Sequence, residues 1–394
     1  MRREAGPAAA GDVVEKLARH RMIVCCGSGG VGKTTVSAAL GMAIAAARDT
    51  RVLVLTIDPA RRLATALGLT SIGTRPVTIA PERLRAAGLA PRGQLDAAML
   101  DAKSEWDRLV ERHAPSPEVR DRILANRFYR GISTAFAGSQ EYVALDAVYD
   151  LQASGEYGCV VVDTPPSRNA LDFLDAPDRL TDFVSARLLA WLAGPSRFGL
   201  RAMGFAATPF LRMADRLLGG EVLEELGAFV RDIQGLYGSV RRRAAAMYDL
   251  LRSPATAFTV VTTLDPQPFA EAEFLCARLG ERSMPLRAVV VNRVLPRALL
   301  DPAGAAAATT LAEDPGVGAW LSAELGEPVA PAVPRRLGQA FLALHALAEG
   351  QEAQVARLGG LGRVPVARLP LADREVSDLD SLGELARRLR EGPG

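Results

Sequence analysis

Five short apolar runs punctuate the chain: Met22–Cys26, Val52–Ile57, Cys159–Val162, Phe258–Thr262 and Ala288–Val291. Each is rich in valine or isoleucine and apolar at successive positions, so both of its faces suit burial. That pattern belongs to parallel strands covered by helices on both sides. Segments with helical spacing alternate with the runs, which predicts a doubly wound α/β fold on a mostly parallel sheet. A further strand is expected at Val364–Leu369, ahead of a last amphipathic helix at Leu379–Leu389.

Two stretches interrupt the alternation. About a hundred residues separate the second run from the third, far beyond an ordinary crossover. They read as helices at Gly93–His113, Pro117–Tyr129 and Gln140–Ala153. A second insertion, Asp178–Leu251, follows the third strand. The insertions, about 85–155 and 178–251, predict a helical subdomain on a single domain spanning 12–394, with 1–11 as a disordered tail. The alanine- and glycine-rich stretches Asp301–Thr310 and Leu358–Gly362 read as surface loops or loosely held helix ends.

Composition changes the picture at three points. A net charge of +2 over 394 residues gives no electrostatic case for a nucleic-acid partner. No run of 18 apolar residues occurs, so nothing is expected to span a membrane and a cytoplasmic location is expected. Of the 47 basic residues only Lys16, Lys33 and Lys103 are lysines. In so arginine-rich a chain, lysine marks places where a compact ammonium on a flexible stem is needed. The cysteines, Cys25, Cys26, Cys159 and Cys276, form no Cys-x-x-Cys pair and read as small buried apolar residues.

Lys33 falls inside Gly27-Ser28-Gly29-Gly30-Val31-Gly32-Lys33-Thr34, a full Gly-x-x-x-x-Gly-Lys-Thr phosphate loop between a strand and a helix. The glycines let backbone N–H groups wrap phosphates, and the following helix adds its positive end. Lys33 is expected to reach the β- and γ-phosphates, and the Thr34 hydroxyl to ligate Mg²⁺. Gly27, Gly29 and Gly32 also satisfy Gly-x-Gly-x-x-Gly with Asp58 ending the next strand, as in a dinucleotide-binding fold. The Lys33-Thr34 pair has no use there. Asp58-Pro59-Ala60 can position the attacking water, or it can simply start a turn. Val160-Val161-Val162-Asp163 delivers a carboxylate to the sheet's carboxyl edge, where it suits Mg²⁺.

These motifs, in this order, resemble the family of arsenite-efflux ATPase subunits and tail-anchored-protein targeting ATPases, a deviant Walker A group of dimeric P-loop ATPases. The resemblance runs from about Met22 to Leu389. It covers the loop through Thr35, Asp58-Pro59-Ala60-Arg61, Asp163-Thr164-Pro165-Pro166-Ser167-Arg168-Asn169-Ala170, Asn292 after Val289-Val290-Val291, and Leu369-Pro370-Leu371. It implies ATP hydrolysis with Mg²⁺, Asp58 as a water-positioning residue, adenine contacts from Asn292, Pro370 and Leu371, and a dimer that opens and closes with nucleotide state. It also implies an apolar client or a membrane-protein partner, in a groove such as Phe183–Leu218 with its phenylalanines and methionines could form. The same stretch also reads as the subdomain's own core.

The departures carry information too. Relatives place a lysine at the position of Ser28, and it reaches the partner subunit's nucleotide. Here that charge is gone, which admits either a relaxed homologue or one subunit of a heterodimer with a lysine-bearing related ATPase. The switch histidine is replaced by Asn169. The zinc-binding Cys-x-x-Cys is absent, and the helical insertions contain no cysteine, so thiolate capture of a metalloid has no ligands there.

Overall fold

The computed structural model describes residues 10–57, 62–69, 73–130, 139–164, 220–362, 364–374 and 376–391. Its centre is an eight-stranded sheet in the order β3-β4-β2-β5-β1-β6-β7-β8. The strands are β1 (Met22–Cys26), β2 (Arg51–Thr56), β3 (Val77–Ile79), β4 (Gln94–Met99), β5 (Cys159–Asp163), β6 (Thr256–Thr262), β7 (Leu286–Val294) and β8 (Val366–Pro370). All neighbours pair parallel except β3 with β4.

Alternation along each strand feeds two separate cores. Met22, Val24 and Cys26 point to one face, with Leu53, Leu55, Val160 and Val162. Ile23 and Cys25 point to the other, with Val52, Val54 and Val161. The second face is covered by α1 (Ala10–Leu17), α2 (Lys33–Ala47) and the last helix, Leu379–Glu391. The first is covered by α5 (Ala102–His113), α7 (Ser139–Ser154), α8 (Gly220–Arg252) and α9 (Pro266–Glu281), with the end of α12 (Ala332–Gly362). Burial on both sides is why these strands lack polar alternation.

Sequence and structure part company in the first insertion. The stretch expected as one helix, Gly93–His113, begins as strand β4 and becomes helical only at Ala102, with Asp101 capping Ser104 N. Alanine-rich Gln94-Leu-Asp-Ala-Ala-Met has helical propensity, but its place between β2 and β3 in the sheet overrides it. Asp96, fully buried, is satisfied there by Arg51, Thr78 and Gln94. The helix expected at Pro117–Tyr129 is α6 (Pro117–Ala125); Asn126 turns extended and its side chain caps Phe128 N at 2.8 Å. Asp301–Thr310, read as a surface loop or a loosely held helix end, is the body of α10 (Pro302–Glu313), with Asp301 accepting from Ala303 N. Leu358–Gly362 likewise belongs to α12.

Helices from both insertions pack together. Phe128 meets Phe229, Arg122 pairs with Asp232, and Arg243 of α8 bonds Asp146 of α7. The tail through residue 9 and the stretch 165–219, which contains Asn169 and Phe183–Leu218, lie outside the described residues.

Candidate functional site

Strand order changes direction around β1, with β5 on one side and β6 on the other. A crevice opens at the carboxyl ends of strands at such a point. Gly27–Gly32 leaves β1 there and turns into α2. Gly27 (φ 153°) leaves no room for a Cβ, which would overlap the Val261 carbonyl. Gly32 (φ 93°) is left-handed, and a Cβ on it would overlap the Asn292 side-chain amide. Gly32 also occupies the N-cap of α2 and offers no side-chain acceptor, so the helix's first N–H groups are left for an anion.

Lys33 is buried and curls inside the loop. Its Nζ donates to the carbonyls of Gly27 (3.0 Å) and Ser28 (2.8 Å). The loop therefore holds its cation already aimed at its own hollow. Gly29 and Gly30 are exposed, Val31 is buried beneath them, and Thr34 and Thr35 are half-buried at the first helical turn. Among the described residues the Ser28 hydroxyl has no hydrogen-bond partner, although its oxygen is buried.

Across the crevice, β5 delivers Asp163 with no solvent exposure. Its Oδ2 accepts from Thr34 Oγ1 at 2.7 Å and from Thr56 Oγ1 at 2.9 Å. Two hydroxyls and a carboxylate form a hard oxygen set, which fits Mg²⁺ and disfavours softer metals. Sequence reasoning paired Thr34 with Asp163 but missed Thr56. Its signal was a hydroxyl in the last position of an otherwise aliphatic strand. Thr164, also missed, donates to the Cys25 carbonyl at 2.8 Å and ties the end of β5 to β1. Asp58 lies outside the described residues; the preceding Ile57 donates its N–H to the Asp163 carbonyl at 3.2 Å.

Asn292 lies inside β7 rather than after it. Its Nδ2 donates to the Val31 carbonyl at 2.9 Å, so it braces the loop from β7, two strands away from β1. Pro370 pairs with Val294, and Leu371 N donates to the Val294 carbonyl at 2.8 Å. The three residues expected around a base thus share one sheet edge. A cavity of about 1040 Å³ opens beside it, lined by Leu295, Arg297, Pro370, Leu371, Arg374 and Arg387 among others.

All four cysteines are buried and unbridged. Burial pushes the Cys26 thiol up to about 12, against the pull of Lys33, and raises Cys25 as well. Neither is a thiolate beside the loop. Among the described residues no cluster of histidine, cysteine and acidic side chains could hold a metal, and no helix is long and apolar enough to cross a membrane.

Comparison with known proteins agrees with this geometry. A family model described as anion-transporting ATPase matches residues 20–308. The chain is 26% identical over 275 residues to the ATPase GET3 of Malassezia globosa, covering 70% of this chain and 73% of that protein. It is 27% identical over 279 residues to the ATPase get3 of Schizosaccharomyces japonicus, covering 70% and 74%. It is 29% identical over 161 residues to a putative arsenical pump-driving ATPase of Prosthecochloris vibrioformis, covering 41% and 36%.

Proposed function

Because the chain belongs to the anion-transporting ATPase family, we propose that it binds Mg-ATP at Gly27–Thr35 and hydrolyses it. It works as a dimeric switch in the cytoplasm, passing its nucleotide state to an apolar client or a membrane-protein partner. The observation that carries this reading is the meeting of Thr34 and Asp163 at 2.7 Å beside a loop that already encloses Lys33.

The loop amides and the N-terminus of α2 bind the phosphates. Lys33 exchanges its two neutral carbonyl acceptors for anionic β- and γ-phosphate oxygens, which adds ion pairing to bonds its ammonium already makes. Thr34 and Asp163 hold Mg²⁺, which when bound neutralises phosphate charge. Asp58 orients the attacking water from the end of β2. Asn292, Pro370 and Leu371 border the base. Calorimetry and phosphate release on Lys33→Ala and Asp58→Asn test the assignment. Lys33→Ala loses binding, whereas Asp58→Asn keeps binding and loses turnover. Full ATP affinity in Lys33→Ala would refute the site.

Ser28 favours a second reading, in which this chain is the catalytically weak subunit of a heterodimer with a related, lysine-bearing ATPase. A cation supplied across an interface during phosphoryl transfer is worth about 10³–10⁵ in rate, and a serine hydroxyl supplies no such charge. Turnover of the chain alone, of Ser28→Lys and of a mixed pair separates the readings. Equal rates in all three rule out the heterodimer. Thiolate capture of arsenite is the less favoured reading: the thiols sit inside β1, β5 and α9, buried and protonated. Arsenite and antimonite should leave the ATPase rate unchanged.

A further inference from the structure

We propose that the Val333–Leu347 face of α12 is a self-association surface that takes the same helix, antiparallel, from a second copy of this chain.

The C-terminal part of α12 belongs to the core, where Val355 and Leu358 are buried. Gln351 marks where that support ends: its Oε1 accepts from Leu295 N at 2.9 Å, one residue beyond β7. The helix before Gln351 therefore rises past the carboxyl edge of the sheet, by about 28 Å at 1.5 Å per residue. On one side α10 accompanies it. Gly338 lets the α10 backbone approach so closely that a Cβ would overlap the Ala308 carbonyl, and Gly304 faces the Phe341 ring.

The other side is bare. Val333, Leu337, Leu344 and Leu347 are 55%, 61%, 41% and 60% exposed, and Ala340 between them is exposed too. Positions 333, 337, 340, 344 and 347 are spaced 4, 3, 4, 3, the spacing of a two-helix seam. From Leu337 to Ala348 the polar side chains are Gln339 and His345. A face of this kind costs solvation unless something covers it. The family model stops at residue 308, well before the seam.

Charge at the two ends selects the occupant. Arg335 and Arg336 flank the start and are exposed, with no ion pair among the described residues. Glu349 flanks the end, exposed, with His345 Nε2 at 3.6 Å. A twofold antiparallel pairing sets Leu337 against Leu347 of the second copy and small Ala340 against large Leu344. It brings the two arginines toward Glu349 at both ends and opposes the helix dipoles. A parallel pairing would stack like charge on like charge.

The test is sedimentation of the full chain without nucleotide, over a range of concentrations. A dimer that dissociates on dilution is expected, and L337E/L344E should remain monomeric with an unchanged circular-dichroism spectrum and unchanged ATP affinity. Under mild oxidation, A340C mixed with L344C should cross-link, whereas either variant alone should not; the buried native thiols do not interfere. K33A should dimerise like the unaltered chain, which separates this surface from the nucleotide site. A monomer at every concentration, a dimer that survives L337E/L344E, or a monomer that floats with phosphatidylcholine vesicles through Leu337 would each overturn the proposal.

Discussion

The side-chain amide of Asn292 donates to the carbonyl of Val31, 261 residues earlier, at 2.9 Å. The chain distorts to aim it. The β7–β8 register shifts between Val291 and Val294, and Arg293 is left-handed with φ 60°. Its N–H returns to Asn292 Oδ1 at 3.0 Å, which fixes the amide's orientation. A left-handed arginine costs on the order of 1–3 kcal/mol, which the two hydrogen bonds of the Asn292 side chain help to offset. Asn292→Ala should weaken ATP binding by about two- to tenfold, the worth of one hydrogen bond. Gly32→Ala should be worse, since it adds a Cβ where the amide lies and strains a positive φ. Calorimetry on the two variants checks this; equal, unchanged affinities would show that the brace has no bearing on nucleotide.

Lys33→Ala should cost more than either. A charge-assisted hydrogen bond from its ammonium to a phosphate oxygen is worth about 1.5–3 kcal/mol, so affinity should fall at least tenfold. The variant should fold normally, because the two carbonyls to which Lys33 donates lie at the crevice and water can take its place. A calorimetric titration alongside a thermal melt checks both halves of this expectation.

Thr56→Val tests the third oxygen. It keeps the shape of β2 but removes one of two hydroxyls on Asp163 Oδ2. The Mg²⁺ concentration for half-maximal ATPase activity should rise several-fold, while nucleotide affinity measured in chelator should stay the same. A fall in both would mark Thr56 as a residue of the fold rather than of the metal site.

How much of this was legible beforehand follows from the range of each interaction. The loop, Asp163 and the central strands are written in contiguous residues: glycines at fixed offsets, and aliphatic runs that suit burial on both faces. β4 was not, because Gln94–Met99 becomes a strand only through its neighbour β2, more than forty residues away. Thr56 and the Asn292–Val31 bond were hidden for the same reason. Helix and loop stayed indistinguishable at α10 because alanine and glycine alone carry no amphipathic stripe, and its partner, Gly338, is distant in sequence.

The helical layer has its own keystone. Asp146 is buried, with Arg112 at 2.5 Å and Arg243 at 2.6 Å, and Asp150 joins both arginines. Arg243 also lies over the Tyr149 ring at 4.2 Å. Removing Asp146 leaves the two guanidinium groups sharing Asp150 alone. Asp146→Ala should therefore destabilise by about 1–3 kcal/mol, the cost of charged hydrogen bonds lost from a partly buried network. Denaturant unfolding should show a lowered midpoint, and ATP affinity in the folded fraction should hold.

Alkaline stability should report the buried thiols. Burial raises Cys159 from 9.0 to about 12 and Cys276 to about 11. Between those limits the unfolded chain has lost the proton and the folded chain keeps it. Stability is thus fully present below pH 9 and declines as pH rises, by about 1.4 kcal/mol per pH unit for each such thiol. Cys159→Ala should flatten the slope between pH 9 and 10.5 relative to the parent. A thiol reagent at pH 8 should leave the native protein unlabelled.

The central place of β1 has a consequence for biosynthesis. Met22 pairs with Val160 on one side and Thr256 on the other, and the loop after it leans on Asn292. β1 is therefore made long before either of the strands it pairs with. At about 5–20 residues per second, the phosphate loop waits on the order of 13–50 s for its brace to be made. Until β5 and β6 follow, its apolar strand is open on both edges, and it is then that a nascent chain of this design has most need of a holding chaperone.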